Sequence, residues 1–136
     1  MVDGSVAVKW LLPDPDVEAD SDRALKLLAG IKEGTVTPLQ PPHWLAEVAA
    51  VITRIHPEGA RRAIELLYAM EFPVADGLEV FRRASTLSKE LSHHLFDTLY
   101  HAVAIEADAT LVSADERYCR KAHHLGRLTR LRHYTA

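Results

Sequence analysis

The 136-residue chain contains a single cysteine, Cys119, and this scarcity excludes two classes of small protein. One cysteine cannot close a disulfide within the chain or supply a cysteine-based zinc cluster. No stretch approaches 18 uninterrupted apolar residues, and the first ten residues lack the basic segment and apolar core of a secretory signal. We therefore expect a cytoplasmic protein without a membrane-spanning segment.

The chain also has little net charge. It carries 16 lysines and arginines against 19 aspartates and glutamates, which gives a net charge of −3 with histidine neutral. This balance excludes the uniformly basic surface of many nucleic-acid-binding domains. If the protein acts on nucleic acid, positive charge must come from a local patch or from a bound cation.

Linkers and repeats are absent from the sequence as well. No glycine- or serine-rich stretch divides the chain, and 48% of the residues are hydrophobic. A chain of this length can bury a substantial core without covalent cross-links. We expect a single domain over residues 1–136.

Apolar residues recur at helical spacing in six segments, 17–31, 44–55, 58–70, 80–91, 95–107 and 116–124. Acids precede the first of these helices, where they complement its dipole: Asp14, Asp16, Glu18, Asp20 and Asp22. Short strands are predicted at the opening V-D-G-S-V and at 35–39, 109–113 and 128–131. Strands that alternate with helices predict an α/β fold with a central parallel β-sheet flanked by α-helices.

Five aromatic residues follow the apolar stripes of the predicted helices and of the crossing at residues 72–74. We expect them to pack in the core or at an interface: Trp10, Trp44, Tyr68, Phe72 and Phe81. Within the third segment, 58–70, the residues Ile64, Leu67 and Tyr68 are predicted to point inward.

Four acids interrupt apolar surroundings, and they carry the functional hypothesis. Asp3 lies in the opening strand, Glu47 in an apolar helix, Asp97 at the start of a helix and Asp115 directly after a strand. Carboxylates gathered in one cleft repel each other, and a hard divalent cation such as Mg²⁺ relieves that repulsion. Phosphodiester hydrolysis requires a nucleophilic water and positive charge beside the phosphate, and a divalent cation supplies both.

The four acids occur in the segments V-D-G-S-V, W-L-A-E-V, F-D-T-L-Y-H-A-V-A and L-V-S-A-D-E-R-Y. In order and spacing these segments resemble the four acidic motifs of PIN domains. The resemblance covers essentially the whole chain, and it is strongest to the VapC-type toxins of bacterial and archaeal toxin–antitoxin pairs.

The resemblance implies a metal-dependent endoribonuclease that uses Mg²⁺ or Mn²⁺ and leaves a 3′-hydroxyl and a 5′-phosphate. By motif position, Asp3, Glu47, Asp97 and Asp115 are the catalytic metal ligands. Ser5 and Ser113 stand beside them as hydroxyls that hydrogen-bond a carboxylate or phosphate, although local turn hydrogen bonds explain both equally well.

The resemblance also implies partners, namely an RNA substrate, a cognate antitoxin protein and a second copy of the chain in a homodimer. The antitoxins of such toxins place a C-terminal segment in a groove of the toxin. The apolar face formed by Trp10, Leu11 and Leu12, together with the helix that carries Trp44, is our candidate for that groove.

The last twenty residues carry six basic side chains and no acid. This segment begins directly after the motif of Asp115 and Glu116. We expect Arg117, Arg120 and Lys121 to contact the RNA backbone beside the metal site.

Other interpretations of the same residues remain open. His93, Asp97 and His101 are spaced for one helix face and could form a histidine-rich metal site, although surface or capping roles are the simpler expectation for these histidines. The chain could be a PIN nuclease of RNA processing without an antitoxin, or a catalytically silent PIN-like module that binds RNA or protein. A receiver domain is disfavoured because the chain lacks the acid pair and late lysine of that class.

Overall fold

The computed structural model describes residues 1–11 and 20–135. In these ranges the helices are α1 (Gly4–Leu11), α2 (Ser21–Glu33), α3 (Trp44–Ile55), α4 (Pro57–Ala69), α5 (Leu78–Leu91), α6 (Leu95–Glu106) and α7 (Glu116–Ala122). The strands are β1 (Leu111–Ser113) and β2 (Leu128–Arg130), and single 3₁₀ turns occupy His123–Leu125 and Leu131–His133. The predicted α/β class is confirmed.

The sheet is small and parallel. β1 pairs with β2 in the register Leu111 to Leu128, and on its other side Val112 forms an isolated parallel bridge with Val2. The amide of Asp3 donates to the Val112 carbonyl at 3.0 Å, and the amide of Val112 donates to the Met1 carbonyl at 2.9 Å. The predicted opening strand is therefore reduced to this bridge, because α1 already begins at Gly4.

A side chain takes the place of the strand predicted at 35–39. That segment forms no strand, and Gln40 makes only an isolated parallel bridge with Val74. The buried side-chain amide of Gln40 instead accepts from the Val2 amide at 2.9 Å and donates to the Val2 carbonyl at 2.8 Å. Val2 is thus hydrogen-bonded on both edges, although it belongs to no regular strand.

The predicted helices are present, with shifted ends. α2 starts at Ser21, and Gly34 ends it in a left-handed conformation at φ 81°, as the glycine predicts. Asp20 occupies the N-cap but its side chain makes no capping hydrogen bond. Asp14, Asp16 and Glu18 lie outside the described residues. Pro57 does more than end α3, because it is also the first residue of α4, where a missing N–H is tolerated.

The core is continuous from α1 across the sheet to α6, and its aromatic residues only partly follow the prediction. Trp10 and Trp44 are buried and both pack against Phe72. Tyr68, however, is 72% exposed and Phe81 is 41% exposed, so neither points inward. Fewer residues of α4 and α5 are buried than their apolar spacing predicted, because each helix packs against the core with one face only.

The structure also bears on the predicted groove and on the expectation that no segment spans a membrane. Trp10 and Trp44 are largely buried, but Trp44 still lines a surface recess of about 330 Å³, so the groove for an antitoxin segment stays a prediction. Leu12 lies outside the described residues. None of the helices within 1–11 and 20–135 has the length and apolar character needed to cross a bilayer.

Candidate metal centre

Four segments that are distant in sequence meet at one cleft of about 430 Å³ beside the carboxyl end of β1. Asp3 precedes α1, Glu47 lies in the first turn of α3, Asp97 in the first turn of α6, and Asp115 is the N-cap of α7. All four carboxylates line the cleft, together with Ser5 and Lys9. The cleft lies where open α/β sheets place their ligands.

Asp3 is held in place by the hydroxyl of Ser5. This hydroxyl donates to Asp3 Oδ2 at 2.5 Å and accepts from the Ala114 amide at 3.0 Å, and the Ser5 amide also donates to Oδ2 at 3.1 Å. Ser5 therefore joins the start of α1 to the end of β1. Both bonds of the Asp3 oxygen come from the turn that begins α1, so Asp3 has a single defined orientation.

Burial strongly disfavours the charged form of Asp3. Loss of hydration, and to a smaller degree the negative charges of Glu47 and Asp97, raise its pKa to about 7, although the two Ser5 hydrogen bonds oppose the rise. A divalent cation among these carboxylates removes both unfavourable effects. The oxygen-rich donor set suits Mg²⁺ or Mn²⁺.

Glu47 approaches the same cleft from α3. Its Oε1 accepts from the Tyr100 hydroxyl at 3.1 Å, and its Oε2 lies 3.4 Å from His43 Nε2. Burial, followed by the nearby negative charges, holds the pKa of Tyr100 above its usual range, so its hydroxyl remains a donor. A Cβ at residue 4 would lie 2.5 Å from Glu47 Oε1, so this close approach depends on Gly4.

Among the four acids, Asp97 and Asp115 belong to a group of side chains that are close enough together to bind one metal ion. Together with His93 they offer one ligand atom each, all within 4.8 Å of one another. Asp115 Oδ1 also accepts from the Tyr118 amide at 3.1 Å, and its own amide donates to the buried Ser113 hydroxyl at 3.1 Å. Ser113 therefore supports the turn that presents Asp115, which is the local hydrogen-bonding role considered above.

A second, smaller recess of about 310 Å³ shares Asp97 and Asp115 with the cleft. We call it the basic recess; its other lining residues are Ser92, His93, His94, Arg117 and Lys121. Of the three predicted RNA contacts, Arg117 and Lys121 line this recess, whereas Arg120 is not among its lining residues.

Ion pairs neutralise part of the positive charge of the C-terminal segment in the folded chain. Arg130 and Arg132 pair with Glu116 at 2.9 and 3.4 Å, and Arg127 pairs with Asp108. Within the C-terminal segment, the positive charge beside the metal centre therefore comes from Arg117 and Lys121. Lys9 of α1 lines the cleft itself.

The histidine-rich metal site that spacing suggested does not form, because His93 and His101 lie in different places. His93 lies against Asp97, with Nε2 2.8 Å from Oδ2, so it is neither a surface residue nor a cap. His101 is fully buried elsewhere, with Nδ1 2.9 Å from the Tyr118 hydroxyl and Nε2 2.8 Å from the Gly126 carbonyl oxygen. His94 caps α6 as expected, since its Nδ1 accepts from the Phe96 amide at 3.3 Å.

Several residues at or beside the cleft were not predicted as site residues. Tyr100 lies three residues after Asp97, and His43 four residues before Glu47, so helical spacing places both beside an acid. Lys9 is buried and lines the cleft, but nothing in the local pattern distinguishes it from a surface lysine.

The comparisons with known proteins agree with this arrangement. Residues 1–124 match the PIN domain family, a span that includes all four acids and the basic recess. No curated protein and no solved structure matches the chain significantly. A match over most of the chain, on a parallel sheet whose carboxyl end carries the four motif acids, makes this protein a member of the PIN domain family.

Proposed function

We propose that this protein is a metal-dependent endoribonuclease that serves as the toxin of a VapBC-type toxin–antitoxin pair. PIN domains are generally metal-dependent nucleases. The observation that carries the proposal is the convergence of Asp3, Glu47, Asp97 and Asp115 on one cleft. Because no acidic position of the motifs is lost, a catalytically silent PIN-like module is the weaker interpretation.

In the proposed reaction, Asp3, Asp97 and Asp115 hold the cation, which is Mg²⁺ or Mn²⁺. When bound, the cation supplies positive charge that favours ionisation of the attacking water and stabilises the charge developing on the phosphate. Glu47, oriented by the Tyr100 hydroxyl, completes the ligand set or orients that water. The products are a 3′-hydroxyl and a 5′-phosphate.

Arg117 and Lys121 are placed to receive a backbone phosphate of the RNA, because both line the recess that shares Asp97 and Asp115. Arg120, on the same short helix, extends this surface. The homodimer and the antitoxin belong to the proposal through the family resemblance alone. The cytoplasmic location rests on the single cysteine, which is typical of a reducing compartment.

The first test is cleavage of a folded RNA by the purified protein with Mg²⁺ or Mn²⁺. We expect cleavage that EDTA abolishes, and the Asp97→Asn variant should lose it at least about 100-fold while its circular dichroism is unchanged. Cleavage at full rate in Asp97→Asn would refute the assignment of the centre. Mapping the cleaved ends tests the proposed products.

The toxin role requires separate evidence. Controlled expression should arrest growth with the wild-type chain and not with Asp97→Asn, and co-expression of an adjacent small DNA-binding gene should restore growth. RNA cleavage without growth arrest, and without such a neighbouring gene, would favour a PIN nuclease of RNA processing.

A further inference from the structure

His93 touches a metal-centre carboxylate but takes no part in the acidic motifs. Its side chain is 8% exposed, and the ring packs edge-on against Tyr118 with centroids 4.9 Å apart. Its backbone is fixed as well, since the His93 amide donates to the Ser88 carbonyl at 3.1 Å and its carbonyl accepts from the Ser88 hydroxyl at 2.6 Å. The ring therefore has a defined orientation beside Asp97.

The neighbours of the ring determine which nitrogen carries the proton. Lys121 Nζ lies 3.3 Å from His93 Nδ1 and also donates to the Ser92 carbonyl at 3.1 Å. A lysine ammonium has donors only, so Nδ1 must be the unprotonated acceptor of the imidazole. The proton then lies on Nε2, which donates to Asp97 Oδ2 at 2.8 Å.

This hydrogen-bond order argues against His93 as a direct metal ligand. To coordinate through Nε2, the ring would have to carry its proton on Nδ1, which would then face the Lys121 ammonium with a donor against a donor. Asp97 keeps Oδ1 for a metal while Oδ2 is occupied by the ring. A ligating carboxylate held by an outer hydrogen bond is a common device for fixing ligand geometry.

We propose that His93 is a positioning residue that orients the Asp97 carboxylate toward the metal, with Lys121 fixing its Nε2–H tautomer. The inference rests on the proposed function in one respect, namely that Asp97 is a metal ligand. It adds a link of three residues, Lys121 to His93 to Asp97, that connects α7 and the basic recess to the metal centre.

The test is Mn²⁺ affinity measured by electron paramagnetic resonance, which does not require RNA cleavage. His93→Leu removes the donor, and we expect Mn²⁺ binding to weaken roughly 10- to 100-fold. His93→Gln keeps an N–H donor near the position of Nε2 and should restore most of the affinity. His124→Gln, at an exposed histidine in a 3₁₀ turn, is the matched control.

Two spectroscopic readouts separate positioning from ligation. Electron spin-echo modulation of bound Mn²⁺ should show no directly coordinated ¹⁴N in the wild-type protein. Long-range ¹H–¹⁵N correlation spectra of the metal-free protein should show His93 as the Nε2–H tautomer. A coordinated ¹⁴N that disappears in His93→Leu, or an Nδ1–H tautomer, would overturn the proposal.

The outcomes also distinguish this inference from the proposed function. If the wild-type protein binds Mn²⁺ and cuts RNA but His93→Leu binds Mn²⁺ equally well, the positioning role fails and the nuclease proposal stands. If the wild-type protein binds no Mn²⁺, the metal-centre proposal fails and the role of His93 fails with it.

Discussion

The side-chain amide of Gln40 satisfies both backbone polar groups of Val2, as a neighbouring strand would. It accepts from the Val2 amide at 2.9 Å and donates to the Val2 carbonyl at 2.8 Å, and both residues are buried. Val2 immediately precedes Asp3, so this pair fixes the backbone from which the first acid projects. The opposite edge of the same segment pairs with Val112.

Gln40→Leu should therefore destabilise the protein strongly. The substitution leaves a buried amide and a buried carbonyl without partners, and each costs about 1–3 kcal/mol. We expect the free energy of unfolding, measured by urea denaturation, to fall on the order of 3 kcal/mol. Gln40→Glu keeps an acceptor for the Val2 amide but loses the donor, so its carboxylate faces the Val2 carbonyl oxygen. Wild-type stability in both variants would show that the amide pair contributes little.

Ser5→Ala tests the link between α1 and β1. The variant loses the hydroxyl that bridges Asp3 Oδ2 and the Ala114 amide, and it leaves that amide without its partner. We expect a loss of about 1–3 kcal/mol in unfolding free energy, together with weaker Mn²⁺ binding, because Asp3 loses one of its two orienting bonds. Ser85→Ala in α5, which does not line the cleft, is the control. A loss of stability with unchanged Mn²⁺ affinity would limit Ser5 to a structural role.

Titration of Asp3 predicts a pH dependence of stability in the metal-free protein. Its pKa in the folded, metal-free protein is raised to about 7 from 3.8, so the unfolded chain ionises first as pH rises. Titration of Asp3 should thus lower the free energy of unfolding of the metal-free protein between about pH 4 and about pH 7, by about 4 kcal/mol. Asp3→Asn removes this dependence.

At about pH 8 in EDTA, Asp3→Asn should then be more stable than the wild-type protein, because no buried charge forms at residue 3. With saturating Mg²⁺ the order should reverse, since only the wild-type carboxylate binds the cation strongly. Thermal unfolding of both proteins with and without Mg²⁺ measures this. The same ranking in both conditions would contradict a metal role for Asp3.

Titration of His101 predicts a pH dependence of stability that is opposite in sign to that of Asp3. Burial lowers its pKa from 6.5, although the Gly126 carbonyl partly offsets that effect. The unfolded chain therefore takes up a proton that the folded protein refuses, and stability falls as pH drops below about 6.5. Measuring this in the Asp3→Asn protein removes the titration of residue 3. The Met1 amino group, whose pKa burial lowers to about 6, contributes with the same sign, so the effect is assigned to His101 by its own titration. A histidine NMR titration should show a pKa for His101 below the ordinary histidine value of 6.5.

The sequence was informative wherever one local pattern determines the structure. Helical spacing and Gly34 predicted the bodies of α2 to α6 and the end of α2, since a helix buries a face defined by its own residues. The short strand within 109–113 and the place of Asp115 directly after it followed from the local apolar pattern. The order of the four acidic segments was enough to indicate the family.

Long-range packing decided the rest. No local signal could show that Gln40 would replace a strand beside Val2, since that bond joins residues 38 positions apart. The exposure of Tyr68 and the burial of Trp10 depend on which neighbouring elements cover each helix face. The ion pairs of Glu116 with Arg130 and Arg132 likewise form only when β2 returns beside α7.

The sequence by itself determined the single cysteine, the net charge of −3, the helical periodicities and the identities of four acids in family order. Only the tertiary structure decided that those acids share one cleft, that burial raises the pKa of Asp3, and that His93 rather than His101 meets Asp97. The physical reason is that charge, burial and hydrogen bonding act through space. A carboxylate's chemistry depends on neighbours that lie dozens of residues away along the chain.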